Sequence, residues 1–228
     1  MLRKEAVSGA LFQILSRLMD RDELGNHRLV GGTALALQIG HRISIDIDLF
    51  SEIPSDYTAI EMALFSEFGS EAQILHYIHS PLGKGISLSV ADVKVDILDW
   101  SSSFQFSAQN IEGIRMADPK EIAVMKLDIL TGPPEWTRFE KKDFVDLLFL
   151  LEKIGLMELI GHFQKHKPGF AFPERMVLEA LQSAELADKK PHPKMLIPMD
   201  WSATKTQINT AIQRFMDEKF KKQENGNF

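Results

Sequence analysis

A strand–turn–helix–strand pattern between residues 29 and 50 constrains the fold of this chain more than any other feature. A short apolar pair ends at Val30, Gly31 and Gly32 follow, and residues 33–39 have the pattern of a short helix. Glycine at such a turn lets the backbone come close to a ligand. The first N–H groups of the helix that follows are free to hold an anion such as phosphate. The turn is therefore a candidate phosphate-binding site.

The second half of this stretch alternates as a β-strand does. Ser44, Asp46 and Asp48 alternate with aliphatic residues, so the polar side chains share one face. Two carboxylates one strand repeat apart repel each other unless a cation lies between them, and Mg²⁺ is the natural cation for hard oxygen ligands. A glycine pair alone is usually an ordinary turn, and Asp-x-Asp alone is usually a solvated edge. The two joined in one stretch predict that Asp46 and Asp48 bind metal together.

The composition indicates an ordinary globular chain. It has 228 residues, of which 44% are hydrophobic and 25% charged, and no apolar run reaches the roughly 18 residues of a membrane span. Residues 6–15 fit an amphipathic helix better than a signal peptide, so we expect a cytoplasmic protein without membrane association. The absence of cysteine excludes disulfides and thiolate sites. A net charge of -6 argues against a general nucleic-acid coat but allows an RNA held by a local basic patch.

A third aspartate repeats the pattern of the first two. After a helix that Asp56 can cap, the pattern predicts three strands, at about 74–79, 86–90 and 93–98. In the last of these, Lys94 and Asp96 share the face opposite to the valines and isoleucine. Asp92 and Asp99 are rivals of Asp96, but Asp92 lies in the preceding turn and Asp99 falls on the opposite strand face.

The chain becomes helical after residue 117. Asp118 at a cap, Pro119 in the first turn and Glu121 three residues after the cap predict the start of a helix. Two later helices are predicted, at about 142–160 and from Ser202 or Thr204 onward. The predicted domains are an α/β core over residues 1–115 and a helical C-terminal domain over residues 116–228.

These motifs together resemble the nucleotidyltransferase superfamily and, within it, the AbiEii/AbiGii toxin family of bacterial abortive-infection systems. The resemblance rests on the run from Gly31 to Phe50, which contains GGTALAL, then HR, then SIDIDLF. It rests also on the run from Arg138 to Leu147, which resembles the family's basic-Asp-x-x-Asp-Leu signature. It implies an α/β (α+β) nucleotidyltransferase core with a mixed sheet, followed by a helical C-terminal domain, with the active site in the cleft between them.

The resemblance also implies catalytic roles. The superfamily takes a third carboxylate from a later strand, and Asp96 is the best match, so the implied metal ligands are Asp46, Asp48 and Asp96. The family has a helical lysine that contacts nucleotide phosphates. Lys126 is a partial match, and a solvated helix face is its alternative. Asp143 would orient the acceptor hydroxyl or hold the lysine, or it would only favour the dipole of its own helix.

The predicted nucleotide-binding residues surround the glycine turn and the strand after it, with the helical lysine added: Gly31, Gly32, Thr33, Arg42, Ser44 and Lys126. Arg42 stands two residues before Ser44, so the strand alternation predicts that it shares the face of the aspartates. There it would bind phosphate or pair with one of the carboxylates.

The function that the resemblance implies is Mg²⁺-dependent transfer of a nucleotide from an NTP to an acceptor. Toxins of this family are paired with a separately encoded antitoxin, and related toxins use the end of tRNA as acceptor, so both are expected partners. Two alternatives stay open. One is a small-molecule nucleotidyltransferase resembling the aminoglycoside-modifying enzymes, and the other is a nucleotide-binding interaction module without turnover.

Overall fold

A mixed β-sheet carries the first two aspartates on one of its central strands. The structure is a computed structural model that describes residues 1–80, 83–132, 137–166 and 173–225. The strands in these ranges are β1 Arg28–Leu29, β2 Asp46–Ser51, β3 Ala72–Ser80, β4 Gly83–Val90, β5 Val93–Trp100, β6 Gln109–Ile111 and β7 Ile114–Met116. Within the described residues they form one sheet of seven strands in the order β3-β4-β5-β2-β1-β7-β6.

The sheet is mixed because its centre combines parallel and antiparallel pairs. Strand β2 runs parallel to β5 and antiparallel to β1, and β1 runs parallel to β7. The pairs β3–β4, β4–β5 and β6–β7 are antiparallel. On β2 the apolar Ile47 and Leu49 are fully buried, whereas Asp46 and Asp48 lie on the other face and are partly exposed. The predicted mixed sheet is therefore confirmed.

The helices of the described residues are α1 Gly9–Met19, α2 Gly31–Ile39, α3 Tyr57–Phe68, α4 Pro119–Thr131, α5 Lys141–Ile154, α6 Leu156–His166, α7 Glu174–Gln182 and α8 Trp201–Asn225. The chain divides into two compact units, Met1–Ile122 and Ala123–Phe228. The first turn of α4 therefore belongs to the first unit. Among the residues that the structure describes, no helix is both long and apolar enough to cross a membrane.

The first unit buries the apolar stripe of α1 beside the sheet. Leu11, Ile14, Leu15 and Leu18 have the spacing of one helix face, and all four are buried. Helix α1 begins at a cap in which Ser8 Oγ accepts a hydrogen bond of 3.1 Å from the Leu11 N–H. It contacts β2 and β7, so this packing fixes the strand that carries the aspartates from the side of the core.

The second unit is helical, as predicted. Helix α5 contacts α6 and α8, and α8 also contacts α6 and α7. The predicted single helix over residues 142–160 is wrong in one respect, since Gly155 divides it into α5 and α6. Gly155 has a φ of 78°, which favours glycine and ends α5. The apolar pattern continues past the break because both helices bury one face.

The position of Glu121 in the sequence predicts that it caps α4, but its side chain has a different role. Asp118 does cap α4, because its Oδ1 accepts from the Lys120 N–H at 2.8 Å. Glu121 is fully buried, and its Oε2 accepts from the N–H groups of Gln105 at 2.7 Å and Phe106 at 3.0 Å. The carboxylate therefore fixes the loop after β5 instead of closing a capping box.

Candidate active site

The glycine turn and the strand of aspartates meet at Gly31 and Asp48. Gly31 has a φ of 67°, and a Cβ added there would lie 2.9 Å from Asp48 Oδ2. The N–H of Val30 donates to the carbonyl of Asp48 at 2.9 Å, which fixes the two segments side by side. Only glycine combines this backbone conformation with this close approach at low cost. The turn therefore lies directly against one of the predicted metal ligands.

Thr33 and Ser44 brace this arrangement from inside. Both are buried, and their hydroxyl oxygens are 2.8 Å apart. The Thr33 hydroxyl also lies within hydrogen-bond distance of the carbonyl oxygen of Asp46. Since Thr33 has one hydroxyl hydrogen, it donates to that carbonyl while Ser44 donates to Thr33. The two predicted nucleotide-binding residues thus hold the start of α2 against the start of β2.

The three predicted metal ligands lie on neighbouring strands. Asp48 on β2 is directly opposite Asp96 on β5, and Asp46 is opposite Lys94. Residues paired in register project to the same face of a sheet, so the three carboxylates and the lysine share one face. The spacing in the sequence predicts this face for each aspartate, and the strand register brings the aspartates side by side.

Asp96 is bound by two neighbouring side chains. Its Oδ1 accepts from the hydroxyl of the buried Ser87 at 2.6 Å, and its Oδ2 lies 2.6 Å from the Lys94 ammonium. Burial alone would lower the pKa of Lys94, but the hydrogen bond to Asp96 and the charges of Asp96, Asp48 and Asp46 raise that pKa above its usual value. Lys94 therefore places a positive charge on the face of the aspartates.

These contacts modify the predicted three-ligand metal site. In the described part of the chain, no three histidine, aspartate or glutamate side chains come together as a metal-binding group. Asp46, Asp48 and Asp96 share a face, but Ser87 and Lys94 direct the Asp96 carboxylate to themselves. The donors nevertheless fit a hard divalent ion, because Mg²⁺ is commonly held by one or two carboxylates together with substrate phosphates and water. Asp46 and Asp48 are the pair that meets this requirement.

The strand alternation from which the face of Arg42 is predicted does not extend to this residue. Strand β2 begins at Asp46, so residues before it do not continue the alternation. Ile45 is exposed and Ser44 is buried, the reverse of what a continuous strand would give. Arg42 is only 3% exposed, and its Nη1 donates to the carbonyl of Ile43 at 3.0 Å. The guanidinium is therefore buried within the first unit, and its predicted role, to bind phosphate or to pair with one of the carboxylates, stays a prediction.

Lys126 and Asp143 lie in the second unit and contact each other. The Lys126 ammonium is 2.5 Å from Asp143 Oδ1 and 2.8 Å from Asp146 Oδ2. The lysine side chain is 5% exposed and both carboxylates are fully buried. Arg138 Nε lies 3.4 Å from the second oxygen of Asp143. The spacing of three residues puts both aspartates on one face of α5, and there they enclose the lysine.

The rival aspartates have other positions. Asp92 lies in the turn before β5 with a φ of 66°. Asp99 is three residues from Asp96 and so faces the other side of the sheet, where its oxygens accept from the Ser55 hydroxyl at 2.5 Å and the Ser55 N–H at 3.2 Å. Ser55 Oγ is 3.3 Å from His27 Nε2. Asp99 thus fixes the loop before α3.

His27 is a titratable group in this network, and its pKa is shifted mainly by burial. Burial lowers its pKa from 6.5 to about 4, against a smaller opposite effect of the Asp99 charge. Nothing in the local sequence around His27 predicts this network. Its partners come from two later segments of the chain, so only the folded sheet brings them together. Lys94, in contrast, had a signal in the sequence, because it stands two residues before Asp96 on the same strand face.

Comparison with known proteins agrees with this fold and these motifs. The family model described as nucleotidyl transferase AbiEii toxin, type IV TA system, matches residues 13–222. An uncharacterized protein of Aquifex aeolicus (strain VF5), aq_aa25, is 31% identical over 130 residues, which are 56% of this chain and 58% of that protein. The chain thus spans only about 58% of the length of this curated relative.

Two solved structures share the fold. JHP933 from Helicobacter pylori has a TM-score of 0.57 at 21% identity, over 95% of this chain and 92% of that chain. The antibiotic-resistance factor ANT(2'')-Ia has a TM-score of 0.52 at 15% identity, over 68% of this chain and 90% of that chain. At such identities the likeness establishes a common fold and leaves substrates open.

Proposed function

Because this chain belongs to the AbiEii nucleotidyl transferase toxin family of type IV toxin–antitoxin systems, we propose that it transfers a nucleotide from an NTP to an RNA acceptor, with tRNA as the expected acceptor. The proposal includes Mg²⁺ as the metal ion. It also includes a separately encoded antitoxin that counteracts the activity, as the family implies. We infer a cytoplasmic location, where both NTP and tRNA are present.

The observation that best supports the proposal is the contact between the glycine turn and the carboxylate of Asp48. Val30 occupies the N-cap position of α2 and has no side-chain acceptor for the first N–H groups of that helix. Those groups can therefore donate hydrogen bonds to an anion, and the partial positive charge of a helix N-terminus favours a phosphate there. A phosphate at this turn would lie beside Asp48, whose Oδ2 is next to Gly31.

Asp46 and Asp48 would hold the divalent ion, and Asp96 would join them if its carboxylate turned from Lys94. When bound, the ion would neutralise negative charge on the phosphates and on the leaving pyrophosphate. Because Gly31 has no Cβ, the turn can lie this close to Asp48 Oδ2. Thr33 and Ser44 keep α2 and β2 in the positions that this arrangement needs.

The proposed reaction is a displacement at the α-phosphorus of the NTP. An acceptor hydroxyl forms a bond to that phosphorus, the bond between the α-phosphorus and the bridging oxygen breaks, and pyrophosphate leaves. The hydroxyl proton passes to a carboxylate oxygen of the site or to water. Because little covalent chemistry is required from the protein, position and charge account for most of the catalysis.

Catalytic roles for Lys126 and Asp143 are proposed from the resemblance to the family. They form a buried ion pair, so we expect the loss of either partner to destabilise the second unit. A direct contact between Lys126 and a phosphate, as the resemblance implies, would require the ammonium to exchange one of its two carboxylate partners.

Pyrophosphate release tests the proposed activity and separates it from the two alternatives. Each NTP is incubated with Mg²⁺ and the protein in the presence of bulk tRNA, of aminoglycosides, or of neither. We expect pyrophosphate release that depends on tRNA. Release only with aminoglycosides would indicate a small-molecule nucleotidyltransferase, and nucleotide binding without release under any condition would indicate a binding module.

A further inference from the structure

Lys94 occupies an unusual place for an exposed lysine, because it lies on the face of three aspartates. It is opposite Asp46 in the parallel pair of β2 and β5, and it is two residues before Asp96 on the same strand face. Its ammonium is 2.6 Å from Asp96 Oδ2, and its side chain is 47% exposed. A long flexible side chain loses rotamer freedom when it is held in an ion pair on an open surface, so the place of Lys94 among three carboxylates matters more than the single pair.

The geometry on the other side of Asp96 fixes this ion pair. Ser87 on β4 is fully buried and opposite Asp96 in register, and its hydroxyl donates to Asp96 Oδ1 at 2.6 Å. Both oxygens of Asp96 thus have protein donors, while the side chain is 19% exposed. A cation from solvent that approaches Asp96 must therefore compete with the Lys94 ammonium for Oδ2.

The same ammonium also acts on the other two aspartates. The charges of Asp48 and Asp46 reach Lys94 across the strand pair. Three carboxylates on adjacent strands repel one another, and one positive charge at their edge reduces that repulsion. A divalent ion at Asp46 and Asp48 would do the same, but it would also repel the ammonium. Lysine and divalent ion are therefore competitors for one negatively charged face.

We propose that Lys94 is an internal counter-ion of the active-site carboxylates, that it competes with the divalent cation for them, and that it sets the affinity of that cation. The inference rests on the proposed function, since it concerns the metal ligands of that site. Lys94 is in this sense a positioning residue, because it acts on the ion through Asp96 and the two aspartates of β2.

Calorimetric titration of the full chain with Mn²⁺ alone tests the inference without any turnover. We expect Lys94→Met to bind Mn²⁺ about tenfold more tightly than the wild type, because the competing charge is gone. Lys94→Arg keeps the charge and should stay close to the wild type. Lys84→Met removes another exposed lysine of the same sheet, on β4, and should leave the affinity unchanged.

Thermal unfolding provides the second readout. Without added metal, Lys94→Met should unfold at a lower temperature than the wild type, because the three carboxylates lose their counter-charge. Added Mn²⁺ should then raise its unfolding temperature by more than it raises that of the wild type.

The outcomes separate this inference from the proposed function. If the wild type binds Mn²⁺ and Lys94→Met binds it no more tightly, the counter-ion role is wrong and the metal site stands. If neither protein binds Mn²⁺, the metal site of the proposed function fails, and the counter-ion role fails with it.

Discussion

At Gly31 a single hydrogen atom in place of a side chain decides whether the glycine turn and the carboxylate of Asp48 can lie together. The backbone has a φ of 67°, and the position that a Cβ would take is 2.9 Å from Asp48 Oδ2. A side chain there would combine two costs, the left-handed backbone and the displacement of a carboxylate. The site thus depends on this residue both for stability and for the position of a proposed metal ligand.

We expect Gly31→Ala to lower the free energy of unfolding by about 2 kcal/mol and to weaken Mn²⁺ binding, since Asp48 must move. Gly113 is the matched control, because its φ is 84° and no atom lies within 4 Å of its added Cβ. Gly113→Ala should lower the free energy of unfolding through its backbone conformation alone, without a change in Mn²⁺ affinity. Urea unfolding and calorimetry measure the two effects. Equal Mn²⁺ affinity in both variants would refute the link between Gly31 and the Asp48 carboxylate.

We expect the titration of a single residue, His27, to make the free energy of unfolding depend on pH. Its pKa falls from 6.5 to about 4 on folding, chiefly through burial. Above pH 6.5 both folded and unfolded chains hold a neutral imidazole. Between pH 6.5 and about 4 only the unfolded chain takes up the proton, so His27 makes stability fall as the pH falls through this window. The full loss is about 3 kcal/mol.

His27→Gln should flatten this dependence, because glutamine does not titrate. The measurement is the free energy of unfolding in urea at several pH values across that window. His192 is exposed, so His192→Gln should preserve the slope of the wild type. A slope in His27→Gln as steep as that of the wild type would exclude His27 as its source.

At the scale of elements, helices α4 and α5 are connected by an ion pair that is buried. The Lys126 ammonium lies between Asp143 and Asp146, and both carboxylates are fully buried. Loss of the lysine removes an ammonium from both buried carboxylates, and for Asp143 the remaining cation, Arg138, is half-exposed and 3.4 Å away. A buried charge that loses its partner is costly in a region of low dielectric.

We therefore expect Lys126→Met to lower the free energy of unfolding by about 3–5 kcal/mol, measured by urea unfolding. Arg175→Met is the matched control, because Arg175 forms an exposed ion pair with Glu179 on one helix and its loss should have little effect. An effect of Lys126→Met as small as that of the control would contradict the buried pair. Nucleotide binding tests whether Lys126 also contacts the nucleotide phosphates. If Lys126→Met loses more affinity for the triphosphate than for the monophosphate, Lys126 is assigned to the phosphates.

Elements with a strong local pattern are predictable from this sequence, and elements that depend on distant partners are not. The alternation of β2 and β5 gives the face of Asp46, Asp48 and Asp96 directly. The register that puts Asp48 beside Asp96 needs two strands far apart in the chain to pair. Arg42 illustrates the limit, because the alternation in the sequence continues back to it, while the strand starts at Asp46.

At the scale of the whole molecule, the sheet order could not be derived from patterns alone. Strand β1 has only two residues, Arg28 and Leu29, yet it lies between β2 and β7. So short a strand has almost no periodicity, and its position depends on pairing with both neighbours. The resemblance to a known family supplied the mixed sheet, whereas capping residues and helix patterns from Asp118 onward predicted the helical second part.

If this chain transfers a nucleotide at the proposed site, the carboxylate of Asp48 is required for the transfer. Asp48→Asn is the sharpest variant, because relief of like-charge repulsion should leave the fold as stable as the wild type or more stable. Urea unfolding of the variant provides the control for folding.

The most direct measurement is transfer of label from an NTP that is radiolabelled in its α-phosphate to bulk tRNA in the presence of Mg²⁺. We expect label in the RNA with the wild type and none with folded Asp48→Asn. Equal labelling by the two proteins, or no labelling of tRNA from any NTP, would contradict this expectation.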